Sequence, residues 1–470
     1  MSTTALQTFI DPPRIRRQLA EGAKASAKDV AEVLDIAAEM KGLTPEQTAI
    51  LLGNADPELW DETFRLAKQI KQEIYGRRIV LFAPLYVANY CQNDCLYCAF
   101  RCTNDDLQRH ALSDEELAGE VRALESVGHK RLLMVYGEHP KYGIDYITHT
   151  IEKAYETKTA DGKGEIRRIN INAAPMDVED YKVLKRIGIG TYQVFQETYD
   201  PEVYAKVHPP RTRKADFPWR LYSLHRAQEA LLDDVAIGAL FGLAEWRFEV
   251  MGLLYHAIDM DEKFNVGPHT VSFPRLEPAH NTPFTTNSPN LVSDEDFKKL
   301  VAVIRLMIPY TGMILTAREK PELRREVLAM GCSQIDGGSR IGIGSYSGEE
   351  QGNIPDRQQF SIYDNRTLDD VIRDLAEMGY TPSFCTACYR EERTGATFMG
   401  IAKHGEVGEI CQMNAILTFS EFLVDYASDE TKRVGFGLIK DEIADLDERR
   451  REMVEGALKK MTAGERDLYF

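Results

Sequence analysis

The sequence predicts an α/β fold: a (β/α)8 barrel of the TIM type between two helical regions. Two observations indicate this architecture. Short runs rich in apolar and β-branched residues alternate with longer amphipathic stretches, which is typical of parallel strands joined by crossover helices. Eight such runs occur between residues 78 and 339, the number that closes a barrel of this type. An open doubly wound sheet is the alternative arrangement.

The predicted strands and helices follow in regular order along the chain. The eight runs cover residues 78–87, 129–137, 166–174, 191–199, 235–243, 269–276, 313–320 and 332–339. Intervening stretches such as SDEELAGEVRALESVG begin with a serine N-cap and an acidic first turn, as helices do. We therefore predict three domains: a helical extension (1–77), the barrel (78–350) and a helical C-terminal domain (351–470).

The N-terminal extension contains a clear helix start in the segment KGLTPEQTAILLG. Thr44 is placed as the N-cap and Pro45 at the first helical position, where its missing N–H is not needed. Gln47 occupies the position that completes a capping box with Thr44. We expect these helices to pack against the barrel and to carry no chemistry.

Composition and charge narrow the class of protein. The 470 residues are 43% hydrophobic and 28% charged, which is ordinary for a globular protein. Subtracting 74 acidic from 57 basic residues leaves a net charge of −17, which disfavours nucleic acid or an anionic membrane as partner. No apolar run reaches the roughly 18 residues of a membrane span, and no secretory signal is evident at the N-terminus. A cytoplasmic location is expected.

Six of the eight cysteines form two triads with different spacings. They are Cys91, Cys95 and Cys98 in the first triad and Cys385, Cys388 and Cys411 in the second. Iron–sulfur clusters usually have four thiolate ligands, so three thiolates leave one iron open to a small molecule. Disulfides are the first alternative, but they belong to oxidising compartments. Zinc is the second, chiefly at the C-terminal triad, where His404 would complete a tetrahedral site.

The first triad follows the first predicted strand, on the face of the barrel where active sites lie. Its C-x3-C-x2-C spacing, with Tyr97 before the last cysteine, resembles that of the radical S-adenosylmethionine (SAM) enzymes. The resemblance implies a 4Fe–4S cluster whose open iron binds SAM and generates a 5′-deoxyadenosyl radical. Gly137 and Glu138, at the end of the second strand, resemble part of the glycine–glycine–glutamate motif that binds the methionyl amine. Tyr136 replaces the first glycine of that motif.

Several longer segments resemble one family within this superfamily. FAPLYVANYC, GIGTYQVFQETYD, GPHTVSFPRL and the closing CTACYR are similar to the HydG family of FeFe-hydrogenase maturases. The resemblance implies that L-tyrosine is cleaved at its Cα–Cβ bond to p-cresol and dehydroglycine. A second 4Fe–4S cluster with an extra iron would convert dehydroglycine to carbon monoxide and cyanide. Other hydrogenase maturation proteins are the implied partners.

Two further hypotheses remain open at this point. One is a lyase similar to 2-iminoacetate synthase (ThiH) that stops at dehydroglycine, a family that we expect to lack the C-terminal triad. The other is a zinc-stabilised scaffold or binding protein without redox activity.

Individual residues at the strand ends are assigned candidate roles. Arg318, after the seventh strand, is expected to bind the tyrosine carboxylate, because a guanidinium pairs with a carboxylate bidentately. A salt bridge to Glu319 is the alternative for this arginine. Arg275, after the sixth strand, is the second candidate. Asn172 and Gln196 are expected to orient cofactor or substrate.

The remaining polar residues and thiols complete the candidate set. His269 is predicted to bind the extra iron, since imidazole suits iron, and His256 is the second candidate. Asp336, after the eighth strand, is expected to alter the substrate pocket. Cys102 and Cys332 are expected to be buried thiols without a functional role.

Overall fold

The computed structural model describes residues 8–348, 354–403 and 407–470, and its sheet contains nine strands. They are β1 (Arg78–Ala88), β2 (Arg131–Tyr136), β3 (Arg168–Asn172), β4 (Tyr192–Gln193), β5 (Val235–Gly238), β6 (Thr270–Ser272), β7 (Gly312–Leu315), β8 (Gln334–Asp336) and β9 (Thr381–Ser383). Each of the eight predicted runs overlaps one of the first eight strands, and no strand extends more than one residue beyond its run.

The helices surround this sheet and continue beyond it. They are α1 (Pro12–Gly22), α2 (Ala27–Ala37), α3 (Pro45–Gly53), α4 (Pro57–Tyr75), α5 (Asp114–Ser126), α6 (Ile144–Glu156), α7 (Val178–Ile187), α8 (Pro201–Val207), α9 (Phe217–Leu221), α10 (Ser223–Glu229), α11 (Trp246–Phe264), α12 (Phe284–Asn287), α13 (Asp294–Met307), α14 (Pro321–Met330), α15 (Leu368–Glu377), α16 (Ala387–Arg390), α17 (Gly395–Lys403), α18 (Val407–Asp425), α19 (Asp429–Ala444) and α20 (Glu448–Thr462). Two 3₁₀ turns lie at Pro140–Tyr142 and Arg213–Ala215.

The first eight strands form a closed parallel barrel. The strands are ordered β2 to β8 and then β1, and β1 also pairs with β2, which closes the ring. All of these pairs are parallel, so the carboxyl ends of the strands meet at one mouth of the barrel. The predicted (β/α)8 fold is confirmed, and the open doubly wound sheet is wrong.

A ninth strand joins the C-terminal region to the opposite end of the barrel. β9 pairs in parallel with the beginning of β1, where Arg78 lies opposite Thr381 and Val80 opposite Ser383. The segment with the second triad begins directly after β9. β1 therefore starts beside the segment with the second triad, and its carboxyl end leads into the loop with the first triad. Its 11 residues, at about 3.3 Å each, are long enough to span the barrel.

The helix start predicted in the N-terminal extension is confirmed. The backbone N–H of Gln47 donates to Thr44 Oγ1 (3.2 Å), and the backbone N–H of Thr44 donates to Gln47 Oε1 (2.9 Å). α3 follows from Pro45, and α4 packs against the barrel helices α13 and α14. In the part of the chain described, no helix is long and apolar enough to cross a membrane.

Candidate functional site

The mouth of the barrel contains a cavity into which the first triad faces. Cys91, Cys95 and Cys98 all line it. Cys95 is buried and the other two are half-buried. The backbone N–H of Cys98 donates to the carbonyl of Cys95 (3.2 Å), a tight turn that brings the thiols to one side of the loop. Gln359 Nε2 donates to the sulfur of Cys98 (3.4 Å) and covers it from the far side of the cavity.

The surroundings of these thiols fit an iron–sulfur cluster. Burial raises the pKa of Cys95 to about 12 and also raises the pKa of Cys91, so neither ionises unaided at neutral pH. A coordinating metal deprotonates a thiol outright. Among the described residues, no three histidine, cysteine or acidic side chains converge on one point as ligands of a single ion would. A cluster needs no such convergence, because each thiolate binds a different iron.

At the end of β2, the backbone of Gly137 lies very close to the backbone of Tyr90, beside the first triad. A Cβ on Gly137 would lie 2.3 Å from the carbonyl oxygen of Tyr90, so only glycine fits there. The neighbouring Glu138 lines the cavity and accepts a hydrogen bond from Asn93 Nδ2 (2.7 Å). Tyr136 also lines the cavity, and its hydroxyl lies 3.0 Å from Thr150 Oγ1.

A buried network of charges next to the triad was not foreseen from the sequence. Glu197 accepts hydrogen bonds from Lys214 Nζ (3.0 Å) and Arg220 Nη2 (2.8 Å), and all three residues line the cavity. Burial alone would raise the pKa of Glu197, but the two cations lower it to about 2. Beside them the hydroxyl of Tyr97 lies 2.7 Å from Nε2 of His208, whose pKa burial lowers to about 3. The charges of Glu197, Lys214 and Arg220 are therefore already paired with one another inside the cavity wall.

The end of β4 requires a correction. Gln193, Phe195 and Glu197 line the cavity, whereas Gln196 does not. Side chains alternate across a strand, so Gln196 lies on the opposite side from its two neighbours, and its amide makes no hydrogen bond with described residues. Asn172, at the end of β3, does line the cavity. The alternation along VFQE indicates that Gln196 and Glu197 lie on opposite sides, but it does not indicate which of them faces the cavity.

Arg318 lies in the same cavity, near Glu277 but without a salt bridge to it. Within the described ranges its guanidinium forms no ion pair; it donates to the carbonyl of Arg275 (3.3 Å) and stacks on the ring of Phe360 at 3.3 Å. Burial lowers the pKa of Arg318. The alternative, a salt bridge to Glu319, is wrong, because that carboxylate pairs with Arg275. A buried guanidinium without a carboxylate is suited to receive one from a ligand.

The guanidinium of Arg275 is hydrogen-bonded to other protein groups, and Arg275 does not line the cavity. Its Nε donates to Glu319 Oε1 (3.0 Å), and its Nη2 donates to the second oxygen of the same carboxylate. Nη1 donates to Asp294 Oδ1 and to the carbonyl of Val292. The predicted role of Arg275 in binding substrate is not supported, since its donors hold the loops after β6 and β7 together.

Replacing Arg275 by methionine is expected to destabilise the protein by about 3–5 kcal/mol. Glu319 is only 2% exposed, so the change leaves a buried carboxylate without its partner. The midpoint of urea unfolding measures the effect. Arg65→Met is the matched control: Arg65 pairs with Glu62 on the surface, and its loss is expected to cost less than about 1 kcal/mol. Equal midpoints for both variants would contradict the expectation.

Two acidic residues complete the wall of the cavity. Asp336 lines it as predicted in position, but its carboxylate is already paired: Arg324 Nη2 donates to Oδ1 (3.3 Å), and Ser339 Oγ donates to Oδ2 (2.8 Å). Glu277, after β6, was not singled out from the sequence. Burial, with Glu319 nearby, raises its pKa to about 7, so Glu277 can exchange a proton near neutral pH.

A second cavity lies at the opposite end of the barrel. Cys385, Cys388 and Cys411 line it together with His269. The guanidinium of Arg131 donates to the carbonyl of Cys385 (2.7 Å) and ties the cysteine segment to β2. The structure thus brings together four predicted metal ligands that are far apart in the sequence.

The other residues considered for this site lie elsewhere. His256, on α11, does not line the second cavity; its Nδ1 lies 2.8 Å from the hydroxyl of Tyr199, and its ring stacks on His225. His404, the candidate zinc ligand, lies outside the described residues. None of the eight cysteines forms a disulfide, so the disulfide alternative is wrong. Cys332 is buried as predicted, but Cys102 is exposed.

The two cavities follow each other along the barrel axis. On each of four strands, one inward-facing residue lines the second cavity and the next lines the first. The pairs are Val80 and Phe82, Arg131 and Leu133, Gly312 and Ile314, and Gln334 and Asp336. Successive layers of inward-facing side chains fill such barrels, so the two sites are separated by the boundary between adjacent layers.

Two family models match the chain. The model of the Radical SAM superfamily covers residues 85–246, and that of the Biotin and Thiamin Synthesis associated domain covers residues 272–381. The first match contains the three-cysteine loop and the end of β2. Together with the barrel and its cysteine-lined mouth, these matches define the class: the protein is a radical SAM enzyme.

Solved structures and a curated relative specify the family. A crystal structure of HydG, a maturase of the FeFe-hydrogenase, superposes with a TM-score of 0.94 at 48% identity, covering 98% of this chain and all of that one. HydG from Carboxydothermus hydrogenoformans gives 0.83 at 39% identity, covering 95% and 97%. The 2-iminoacetate synthase of Salmonella typhimurium is 30% identical over 76% of this chain and 90% of its own length. The chain belongs to the HydG family.

Proposed function

We propose that this enzyme cleaves the Cα–Cβ bond of L-tyrosine, releasing p-cresol and dehydroglycine, in the assembly of the FeFe-hydrogenase metal centre. One observation carries the proposal: Arg318 presents a buried guanidinium, without a salt bridge among the described residues, in the cavity that the first triad lines. The carboxylate of an amino acid would pair with it in bidentate geometry. The similarity to HydG and to 2-iminoacetate synthase supports the same reaction.

The residues around the first triad would bind the cluster and SAM. Cys91, Cys95 and Cys98 would hold a 4Fe–4S cluster with one open iron. The backbone at Gly137, with the carboxylate of Glu138 beside it, would bind the methionyl amine of SAM. When bound, the cluster and SAM supply a 5′-deoxyadenosyl radical that abstracts hydrogen from the substrate.

Other residues of this cavity would position tyrosine. Arg318 would hold its carboxylate, and Asn172 and Tyr97 would contact cofactor or substrate from the adjacent strand ends. The Glu197 network is internally paired, so it would add a preorganised field that needs no rearrangement when the substrate binds.

At the second cavity we propose a second 4Fe–4S cluster with an extra iron. Cys385, Cys388 and Cys411 would hold the cluster and His269 would bind the extra iron, because all four line one cavity. Dehydroglycine would pass through the barrel interior from the first cavity to the second, where it would break down to carbon monoxide, hydrogen cyanide and water. The proposed partners are other hydrogenase maturation proteins, which would accept the product.

A lyase that stops at dehydroglycine, as implied for a 2-iminoacetate synthase, is the alternative. The extent of the similarities favours the HydG reaction. The HydG structure accounts for 98% of the chain, whereas the alignment with the Salmonella typhimurium enzyme spans only 76%. The similarity to HydG, which covers nearly the whole chain, would account for the C-terminal triad.

Product analysis of the reconstituted protein tests the proposal. Anaerobic protein with SAM, dithionite and tyrosine is expected to form p-cresol and 5′-deoxyadenosine. Cys95→Ser is expected to abolish both products, because the first cluster would lose a ligand. Cys102→Ser is the matched control, since that exposed thiol lines neither cavity. If 5′-deoxyadenosine forms without p-cresol, tyrosine is not the substrate.

A further inference from the structure

A buried carboxylate lies directly behind His269, at the wall of the second cavity. Asp234 precedes β5 and His269 precedes β6, and these two strands are neighbours in the barrel. The backbone N–H of His269 donates to the carbonyl of Val235 (3.0 Å), which sets the two side chains next to each other. Oδ1 of Asp234 lies 2.7 Å from Nδ1 of His269, and the aspartate side chain is only 4% exposed.

The position of this carboxylate indicates which nitrogen of the imidazole is available to a metal. A neutral imidazole has its proton on one ring nitrogen and a lone pair on the other. A carboxylate oxygen 2.7 Å from Nδ1 favours the tautomer with the proton on Nδ1, which leaves the lone pair on Nε2. The hydroxyls of Tyr389 and Thr191 lie beside the same carboxylate.

Asp234 also contacts the segment that contains the second triad. Tyr389, one of its neighbours, follows Cys388 in α16, and its ring is covered by the guanidinium of Arg168 at 3.8 Å. Tyr389 and His269 line the same cavity. The aspartate thus lies where the barrel wall meets the cysteine segment, although neither of its oxygens has a well-aligned donor among described residues.

We propose that Asp234 is the positioning residue for the extra iron, holding His269 so that Nε2 is the nitrogen available to the metal. This inference rests on the proposed second site. Histidines that bind metals usually donate their other ring N–H to a carboxylate, carbonyl or water, which fixes the tautomer and the ring orientation. Removal of such a partner typically lowers metal affinity about 10- to 100-fold.

Iron titration of Asp234→Asn tests the proposal without relying on activity. The full chain is reconstituted with both clusters, loosely bound iron is removed with a chelator, and Fe²⁺ is added back under anaerobic conditions. Bound iron and the low-temperature electron paramagnetic resonance (EPR) spectrum of the second site are recorded. We expect the variant to bind the extra iron about 10- to 100-fold more weakly than the parent protein while both cluster signals remain.

Two further variants control for charge and for folding. Glu249→Gln replaces another fully buried carboxyl, whose pKa burial raises to about 8, so the change removes little charge at pH 7. Glu249 lines neither cavity, and this variant is expected to bind iron like the parent. If Asp234→Asn does not fold, Asp234→Glu decides the matter, because its longer side chain displaces the carboxylate; an unchanged affinity would overturn the proposal.

His269→Ala separates this inference from the proposal on which it rests. Iron loss in His269→Ala together with parental iron affinity in Asp234→Asn would overturn the role of Asp234 and leave the proposed iron ligand intact. Retention of the extra iron in His269→Ala would overturn the ligand assignment, and the inference with it. Weaker iron binding in both variants supports the inference.

Discussion

Replacing Arg318 by glutamine is expected to lower kcat/KM for tyrosine cleavage by about 100-fold or more. A hydrogen bond to a charged group contributes about 1.5–3 kcal/mol, and a guanidinium offers a carboxylate two of them. Each 1.4 kcal/mol corresponds to about a factor of ten in rate. Arg318 forms no ion pair within the described ranges, so the change breaks no salt bridge, and the fold is expected to persist.

The measurement is the rate of p-cresol formation with tyrosine and with tyramine, which lacks the carboxylate. The parent protein is expected to prefer tyrosine strongly, and Arg318→Gln to lose most of that preference. Arg318→Lys is the matched control: it keeps the charge but not the planar pair of donors, so an intermediate preference is expected. An unchanged preference in Arg318→Gln would show that the carboxylate binds elsewhere.

Replacing Cys388 by serine is expected to reduce carbon monoxide and cyanide below detection while p-cresol is still formed. The reason is the separation of the two cavities: Cys388 lines only the second, and no residue of the first triad contributes to it. Products are measured by haemoglobin binding of carbon monoxide, cyanide derivatisation and chromatography of p-cresol. EPR of the reduced protein is expected to lose one of two cluster signals.

Cys332→Ser is the matched control for this second prediction. Cys332 is a fully buried thiol that lines neither cavity, and a hydroxyl can keep the contact of its sulfur with the carbonyl of Val327. It is expected to retain both cluster signals and all products. Carbon monoxide from Cys388→Ser at the parental rate would contradict the second site, and its absence from the parent protein would favour the lyase that stops at dehydroglycine.

The barrel was predictable because its signal is local. Each of the eight strands coincides with an apolar run to within one residue at its ends, and each run is followed by a helical pattern, so the repeat is visible without long-range information. β9 was missed for the opposite reason. Its three residues, Thr381 to Ser383, include a proline and no apolar run, and they form a strand only because the start of β1 offers a free edge there.

The first triad could be predicted because the spacing of its cysteines is visible in the sequence. The roles of the arginines could not, because they depend on which side chains lie next to them in the fold. The sequence places Arg275 and Arg318 alike after two adjacent strands, and nothing local indicates which of them pairs with Glu319. The structure assigns that carboxylate to Arg275 and leaves Arg318 facing the cavity. Gln196 was chosen over Glu197 in a similar way, because a strand's composition does not reveal which alternate side chains face inward.

By itself, the sequence determined the class of this protein: a barrel whose first loop presents three thiols, since eight residues of loop contain all three cysteines. Only the tertiary structure decided which other residues each of these side chains contacts. His269 shares a cavity with Cys385, Cys388 and Cys411, and Asp234 lies behind it, because β9 and β1 bring the C-terminal segment to the barrel floor. Contacts between residues so distant in the chain depend on packing, which no local pattern encodes.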